Sequence, residues 1–178
     1  MDRYGDHAMT CKVSSGAIDK HNSLCEILLN DMKAAGVSCA GEQPSLNQTS
    51  KERPADVYVP NFDIYGEAYI DISVINILCP SYLGKSSKGP LCGAEIRYEM
   101  KLKKYEHLAQ QFKPLIVECT GGWHAHSYKN IGAIAQLIAS RSNQAVKIVM
   151  KRLISSLSIS LQRHQGTMIV RRCAGLTY

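Results

Sequence analysis

Ala68-Tyr69-Ile70-Asp71-Ile72-Ser73-Val74-Ile75-Asn76-Ile77-Leu78 decides the fold. Its density of Ile and Val reads as the strongest β-strand in the chain, and strand alternation sends Ile70, Ile72 and Val74 to one side. Asp71 and Ser73 then point together to the other side. A carboxylate among aliphatic neighbours is costly to bury unless an ion pair, a hydrogen bond or a cation meets it. The rest of the chain therefore has to supply a partner for Asp71.

On the N-terminal side, Asp56-Val57-Tyr58-Val59 reads as a strand closed by Pro60, and 61–66 reads as a turn into the Asp71 strand. Further upstream, Leu24, Leu28 and Met32 recur every fourth residue, with Cys25 and Leu29 beside them, so 16–36 reads as a helix stopped by Gly36. Residues 37–40 form a short strand and 43–53 a polar loop. On the C-terminal side, 79–93 reads as a flexible connection rich in Pro, Gly and Ser. Residues 94–111 read as a charged amphipathic helix broken at Lys113-Pro114, and Leu115-Ile116-Val117-Glu118-Cys119 as a buried strand. After the Gly121-Gly122 turn, 128–141 and 143–163 read as helices, the second with Val149, Leu153, Leu157 and Leu161 on one stripe. The order α-β-β-β-α-β-α-α predicts an α/β core, a mixed sheet flanked by helices with a C-terminal helical pair.

The 178 residues fit one domain, and 45% hydrophobic content suffices for a core. Charge is unevenly placed. Residues 1–118 carry 13 basic and all 15 acidic side chains, whereas 119–178 carry eight basic ones and no carboxylate. That asymmetry points to a polyanionic partner, nucleic acid first and acidic lipid second, with a merely solvated cationic helix as the equal alternative. Lys147, Lys151, Arg152 and Arg163 are the candidate DNA-binding residues. No apolar run is long enough to span a membrane, and the N-terminus is too polar and acidic for a signal peptide. Seven scattered cysteines without a CxxC pair read as reduced thiols, so an intracellular, nuclear location is expected.

Asp56 and Asp71 fall on consecutive strands, and a hairpin of this length can bring both carboxylates to one end of the sheet. Two converging carboxylates suit a hard, oxygen-bound divalent cation, Mg²⁺ or Mn²⁺. The alternative reading makes Asp56 a turn residue and puts Asp71 on a solvated edge. Arg97, Lys101, Lys104 and Leu108 share one helical face by their spacing. A lysine beside a metal-bound phosphodiester orients water or offsets developing charge.

In order, Arg53-Pro54-Ala55-Asp56, Asp71-Ile72-Ser73-Val74, Lys101-Leu102-Lys103-Lys104-Tyr105 and Pro114-Leu115-Ile116-Val117-Glu118 resemble the restriction-like endonuclease domain of early-branching, site-specific non-LTR retrotransposons. That family belongs to the PD-(D/E)xK nuclease superfamily. The resemblance spans about 5–142. It implies a restriction-endonuclease-like core over 16–142, followed by a basic C-terminal helix and tail over 143–178. It also implies that Asp56 and Asp71 bind Mg²⁺ or Mn²⁺. Ser73 stands where the superfamily triplet has its lysine, which implies that the lysine has migrated to Lys101 or Lys104, with Lys101 preferred.

Gly5-Asp6-His7-Ala8-Met9-Thr10-Cys11 is similar to the second half of the family's zinc knuckle, so 1–15 reads as its remnant. His7 and Cys11 offer two zinc ligands where a structural site needs four. Hence the expectation of a truncated piece of a longer polyprotein, with a reverse transcriptase region upstream as partner. Accessory candidates are Glu118, read as a site acid or as a tether of the glycine turn, and Glu26, matching an extra acid of many superfamily nucleases or a solvated helix surface. The implied activity is nicking of target DNA for target-primed reverse transcription. A catalytically decayed nucleic-acid-binding module is the alternative, and a dimeric junction-resolving nuclease a third reading.

Overall fold

The computed structural model describes residues 16–43, 55–64 and 66–173. Its elements run α1 (Gly16–Ala34), β1 (Ala40–Gln43), β2 (Ala55–Asp63), β3 (Gly66–Ile75), α2 (Pro80–Ser86), α3 (Cys92–Lys104), a 3₁₀ segment (Glu106–Gln111), β4 (Phe112–Glu118), α4 (Ala125–Ser142) and α5 (Val146–Cys173). The four strands form one mixed sheet in the order β1-β2-β3-β4, antiparallel up to β3 and parallel between β3 and β4. The α/β architecture with a mixed sheet and flanking helices is as the sequence implies.

Alternation in β3 divides the molecule. Ile70 and Ile72 enter the main core with Leu115 and Val117 of β4, Leu24, Leu28 and Met32 of α1, and Leu153, Leu157 and Leu161 of α5. Tyr69 and Ile75 turn to the other face, where Tyr105 and Phe112 cover the first and Ala94 of α3 the second. Asp71 and Ser73 lie between them, so they sit in the layer between β3 and α3. Helix α5 shares the main core: its stripe packs on α1, Ser160 meets Ser23 at 2.8 Å and Arg152 reaches Asp31 at 3.4 Å. Helix α5 thus shares one core with the elements that precede it.

Several elements differ from the sequence reading for identifiable reasons. β1 starts at Ala40 rather than residue 37, because the Val37 N–H is spent on the Met32 carbonyl, closing α1 behind left-handed Gly36. β2 continues through Pro60 to Asp63. The ladder slips between Val59 and Asp63, and β1 pairing ends at Ala40–Tyr58, so the missing proline N–H falls where nothing needs it. β3 stops at Ile75, after which the Asn76 side chain accepts the Leu78 N–H in a local turn. The connection 79–93 contains α2, started by Pro80 at a first-turn position where its missing N–H costs nothing. The helix expected over 94–111 ends at Lys104, because Tyr105 turns inward against Phe112, with ring centroids 4.7 Å apart. β4 begins at Phe112 and includes Pro114, which the edge position tolerates. Helix α4 exceeds its expected limits at both ends, whereas α5 starts later than expected, at Val146, and runs on to Cys173. Among the described residues, no helix is long and apolar enough to cross a membrane.

Candidate active site

The β2–β3 ladder is registered at Tyr58–Tyr69 and Val57–Ile70, and just beyond it the Asp56 side chain reaches the β3 backbone next to Asp71. The Asp56 carboxylate is fixed at both ends. Its Oδ2 accepts the Ile72 backbone N–H at 2.6 Å, and its Oδ1 faces His21 Nε2 of α1 at 3.2 Å. Asp71 is only 5% exposed, and its Oδ1 accepts the Lys101 ammonium at 2.6 Å while Ser73 Oγ donates to Oδ2 at 3.4 Å. These groups line one cleft of about 360 Å³, together with Lys20 and Arg97.

Burial is the largest influence on Asp71 and raises its pKa above the ordinary carboxylate range; Lys101 opposes this, and the nearby Asp56 charge adds to it. The raised value and the ion pair pull in opposite directions. A 2.6 Å contact to an ammonium favours the ionised carboxylate, so the pair is a carboxylate held by Lys101 in a setting that resists its charge. His21 is pushed up to about 10, chiefly by its hydrogen bond to Asp56. Burial lowers the Lys20 pKa.

The candidate residues separate into groups. Asp56, Asp71, Ser73 and Lys101 converge in the cleft. Lys104 is exposed and is not among the residues lining the cleft; it donates to Tyr105 Oη at 2.9 Å and lies over that ring, which Lys101 Nζ also approaches, at 5.7 Å from the centroid. Glu118 is buried outside the cleft, where its Oε1 accepts the Ala94 N–H in the first turn of α3 at 3.3 Å and its backbone closes the Gly121-Gly122 turn. Its carboxylate caps α3, and it is the backbone of Glu118 that holds the glycine turn. Glu26 is exposed on α1 beside a neighbouring cleft that Asp56 also lines.

Lys147, Lys151, Arg152 and Arg163 are all exposed on α5. At about 100° per residue, Lys147 and Lys151 fall on one flank of the buried stripe and Arg152 and Arg163 on the other. They form two edges instead of one face. Arg152 is also engaged with Asp31 and Gln144. His7 and Cys11 lie outside the described residues.

Sequence reasoning missed Lys20, His21 and Cys25. A signal was present: Lys20-Leu24-Leu28-Met32 is an unbroken i+4 series that places a lysine on the apolar stripe of α1, and Lys20 is indeed 6% exposed. His21 and Cys25 form the adjacent i+4 pair. Compared with known proteins, the chain matches no protein-family model and no curated protein.

Proposed function

We propose that this chain is a divalent-cation-dependent nuclease domain that hydrolyses a DNA phosphodiester in the cleft between β3, α1 and α3. One observation carries the reading: two carboxylates on paired strands share a cleft with a lysine that touches one of them at 2.6 Å. The donor set suits Mg²⁺ or Mn²⁺, being two carboxylates and a hydroxyl, and the Lys101 ammonium is itself a cation at contact distance from Asp71 Oδ1. Asp56 and Asp71 would hold the ion.

Such an ion supplies a water of lowered pKa and offsets charge on the phosphate oxygens. Asp56 is preorganised, because the Ile72 N–H fixes its carboxylate before any ligand arrives. Lys101 has the reach to leave Asp71 and donate to the attacking water or to the charge that develops on the phosphate. Arg97 and Lys20, lining the same cleft, suit the non-bridging phosphate oxygens, and Ser73 steadies Asp71. By its resemblance, the chain would nick target DNA for target-primed reverse transcription, beside a reverse transcriptase region of a longer polyprotein.

The test is nicking of supercoiled plasmid with Mg²⁺ by wild type and Asp71→Ala, with DNA binding measured in parallel. Wild type is expected to nick and Asp71→Ala to lose on the order of 10²-fold or more in rate while still binding. Binding without cleavage by the wild type would overturn the enzyme and leave the decayed binding module.

A further inference from the structure

His21 and Cys25 stand one turn apart on α1 and project from the same face of that helix. His21 Nε2 lies 3.2 Å from Asp56 Oδ1, and Cys25 Sγ lies 3.6 Å from the same nitrogen. One donor atom from each of the three residues falls within 4.8 Å of the others. Ligands bound at about 2.0–2.3 Å to a tetrahedral zinc are separated from one another by roughly 3.3–3.8 Å. Both distances from the His21 nitrogen are near the length of such an edge.

The donors also differ in kind from those beside Asp71. Once binding has displaced the protons of the His21 ring and the Cys25 thiol, an imidazole nitrogen, a thiolate sulfur and one carboxylate oxygen form a borderline-soft set that zinc accepts and Mg²⁺ does not. The three residues border a second cleft of about 240 Å³, which Glu26, Asn22 and Gly41 also line and Asp71 does not. It offers room for a solvent ligand in the fourth position. Asp56 needs no rearrangement to serve, since the Ile72 N–H already holds its other oxygen.

We infer that His21, Cys25 and Asp56 form a second cation site, taking a zinc-class divalent ion with water as its fourth ligand. Asp56 is common to this site and to the one proposed for Mg²⁺. On the nuclease reading, which this one consequence requires, zinc competes for Asp56 and opposes cleavage.

Cobalt(II) titration of the full chain tests the site. Wild type is expected to develop the thiolate-to-cobalt charge-transfer absorption and the visible bands of a four-coordinate ion. Zn²⁺ should bleach both, and excess Mg²⁺ should leave them. Cys25→Ser abolishes the charge-transfer band and His21→Ala weakens binding at least 10–100-fold, the cost of disturbing even an outer-shell partner. Circular dichroism checks that both variants are folded. A His7→Ala/Cys11→Ser double variant keeps the band, which separates this site from the N-terminal segment. No band in the wild type, or a band that survives Cys25→Ser intact, overturns the inference. So does displacement by Mg²⁺. In a plasmid assay, the ratio of nicking with and without zinc should rise towards one in Cys25→Ser, and an unchanged ratio refutes the coupling. The cobalt band needs no nicking, so failure of the nuclease reading and failure of the zinc site are read separately.

Discussion

Replacing Lys101 with Met keeps most of the side-chain volume and removes only the ammonium. In the folded protein that ammonium is 2.6 Å from Asp71 Oδ1, and the two side chains are 14% and 8% exposed. Removing one partner of a buried pair costs about 3–5 kcal/mol because the other charge is left uncompensated. This pair borders an open cleft, so the lower end applies, about 3 kcal/mol. For a domain of this size the midpoint should fall by roughly 6–12 °C. The deficit also has a pH signature. Burial already holds the Asp71 carboxyl above its ordinary range, and Lys101 pulls it back. Without the ammonium the folded-state value climbs further. The deficit is therefore complete above that value and shrinks as pH falls from it to the wild type's own folded-state value, itself above the ordinary carboxylate range.

Cation binding separates a functional pair from a structural one. In wild type a divalent ion must displace the ammonium from Asp71, and in Lys101→Met it does not. At ten times its Kd an ion stabilises the fold by about 1.4 kcal/mol, so the Mg²⁺-induced rise in midpoint should be larger in the variant. Nicking should still drop by about 10²–10³-fold. Thermal melts with and without Mg²⁺ at several pH values, beside the plasmid assay, measure all of this. A deficit that does not change with pH would refute the ion-pair reasoning. An Mg²⁺ effect no larger than in wild type would remove Asp71 as a ligand shared with Lys101. Full nicking by the variant would remove Lys101 from the chemistry.

Two further changes probe neighbouring claims. Glu118→Ala should lower stability by about 1–2 kcal/mol, because the Ala94 N–H then has no carboxylate to donate to. The Mg²⁺-induced rise in midpoint should persist, and its disappearance would restore Glu118 as a site acid. Lys147→Glu/Lys151→Glu, on an exposed flank of α5, should flatten the dependence of log Kd for DNA on log salt by about 0.9 for each phosphate that is no longer neutralised. An unchanged slope in binding titrations would show that this flank does not face DNA.

The mixed sheet and the outward face of Asp71 were legible because period-2 alternation is a local property that a long Ile/Val run displays plainly. Hairpin length already allowed Asp56 and Asp71 to reach one cleft, although β2 runs past the proline expected to close it. Lys101 and Lys104 could not be ranked by spacing, since both follow from the same helical face. The structure separates them because α3 ends at Lys104, where Tyr105 turns in to cover Phe112 and draws the Lys104 ammonium after it. The contribution of α1 was hidden for a different reason. Its docking against β2 and β3 is non-local, and no local pattern shows which strand a helix residue will face. The layout of the basic C-terminal third could not be read from composition. Its excess of cations is real, but helical rotation distributes them over two flanks, which composition cannot reveal.

The charge inventory of the cleft bears on how it could work. Lys20, His21, Arg97 and Lys101 surround two carboxylates, so basic groups outnumber acidic ones around the proposed metal position. A bare divalent ion entering that surrounding meets net repulsion at close range, and only Asp56 and Asp71 attract it. A phosphodiester entering first meets attraction from Arg97 and Lys20 and brings additional oxygen ligands and negative charge. On the nuclease reading, DNA and cation therefore reinforce each other, and each should bind more tightly in the presence of the other. On that reading, the Lys101 ammonium balances the buried Asp71 carboxylate until phosphate and cation arrive together.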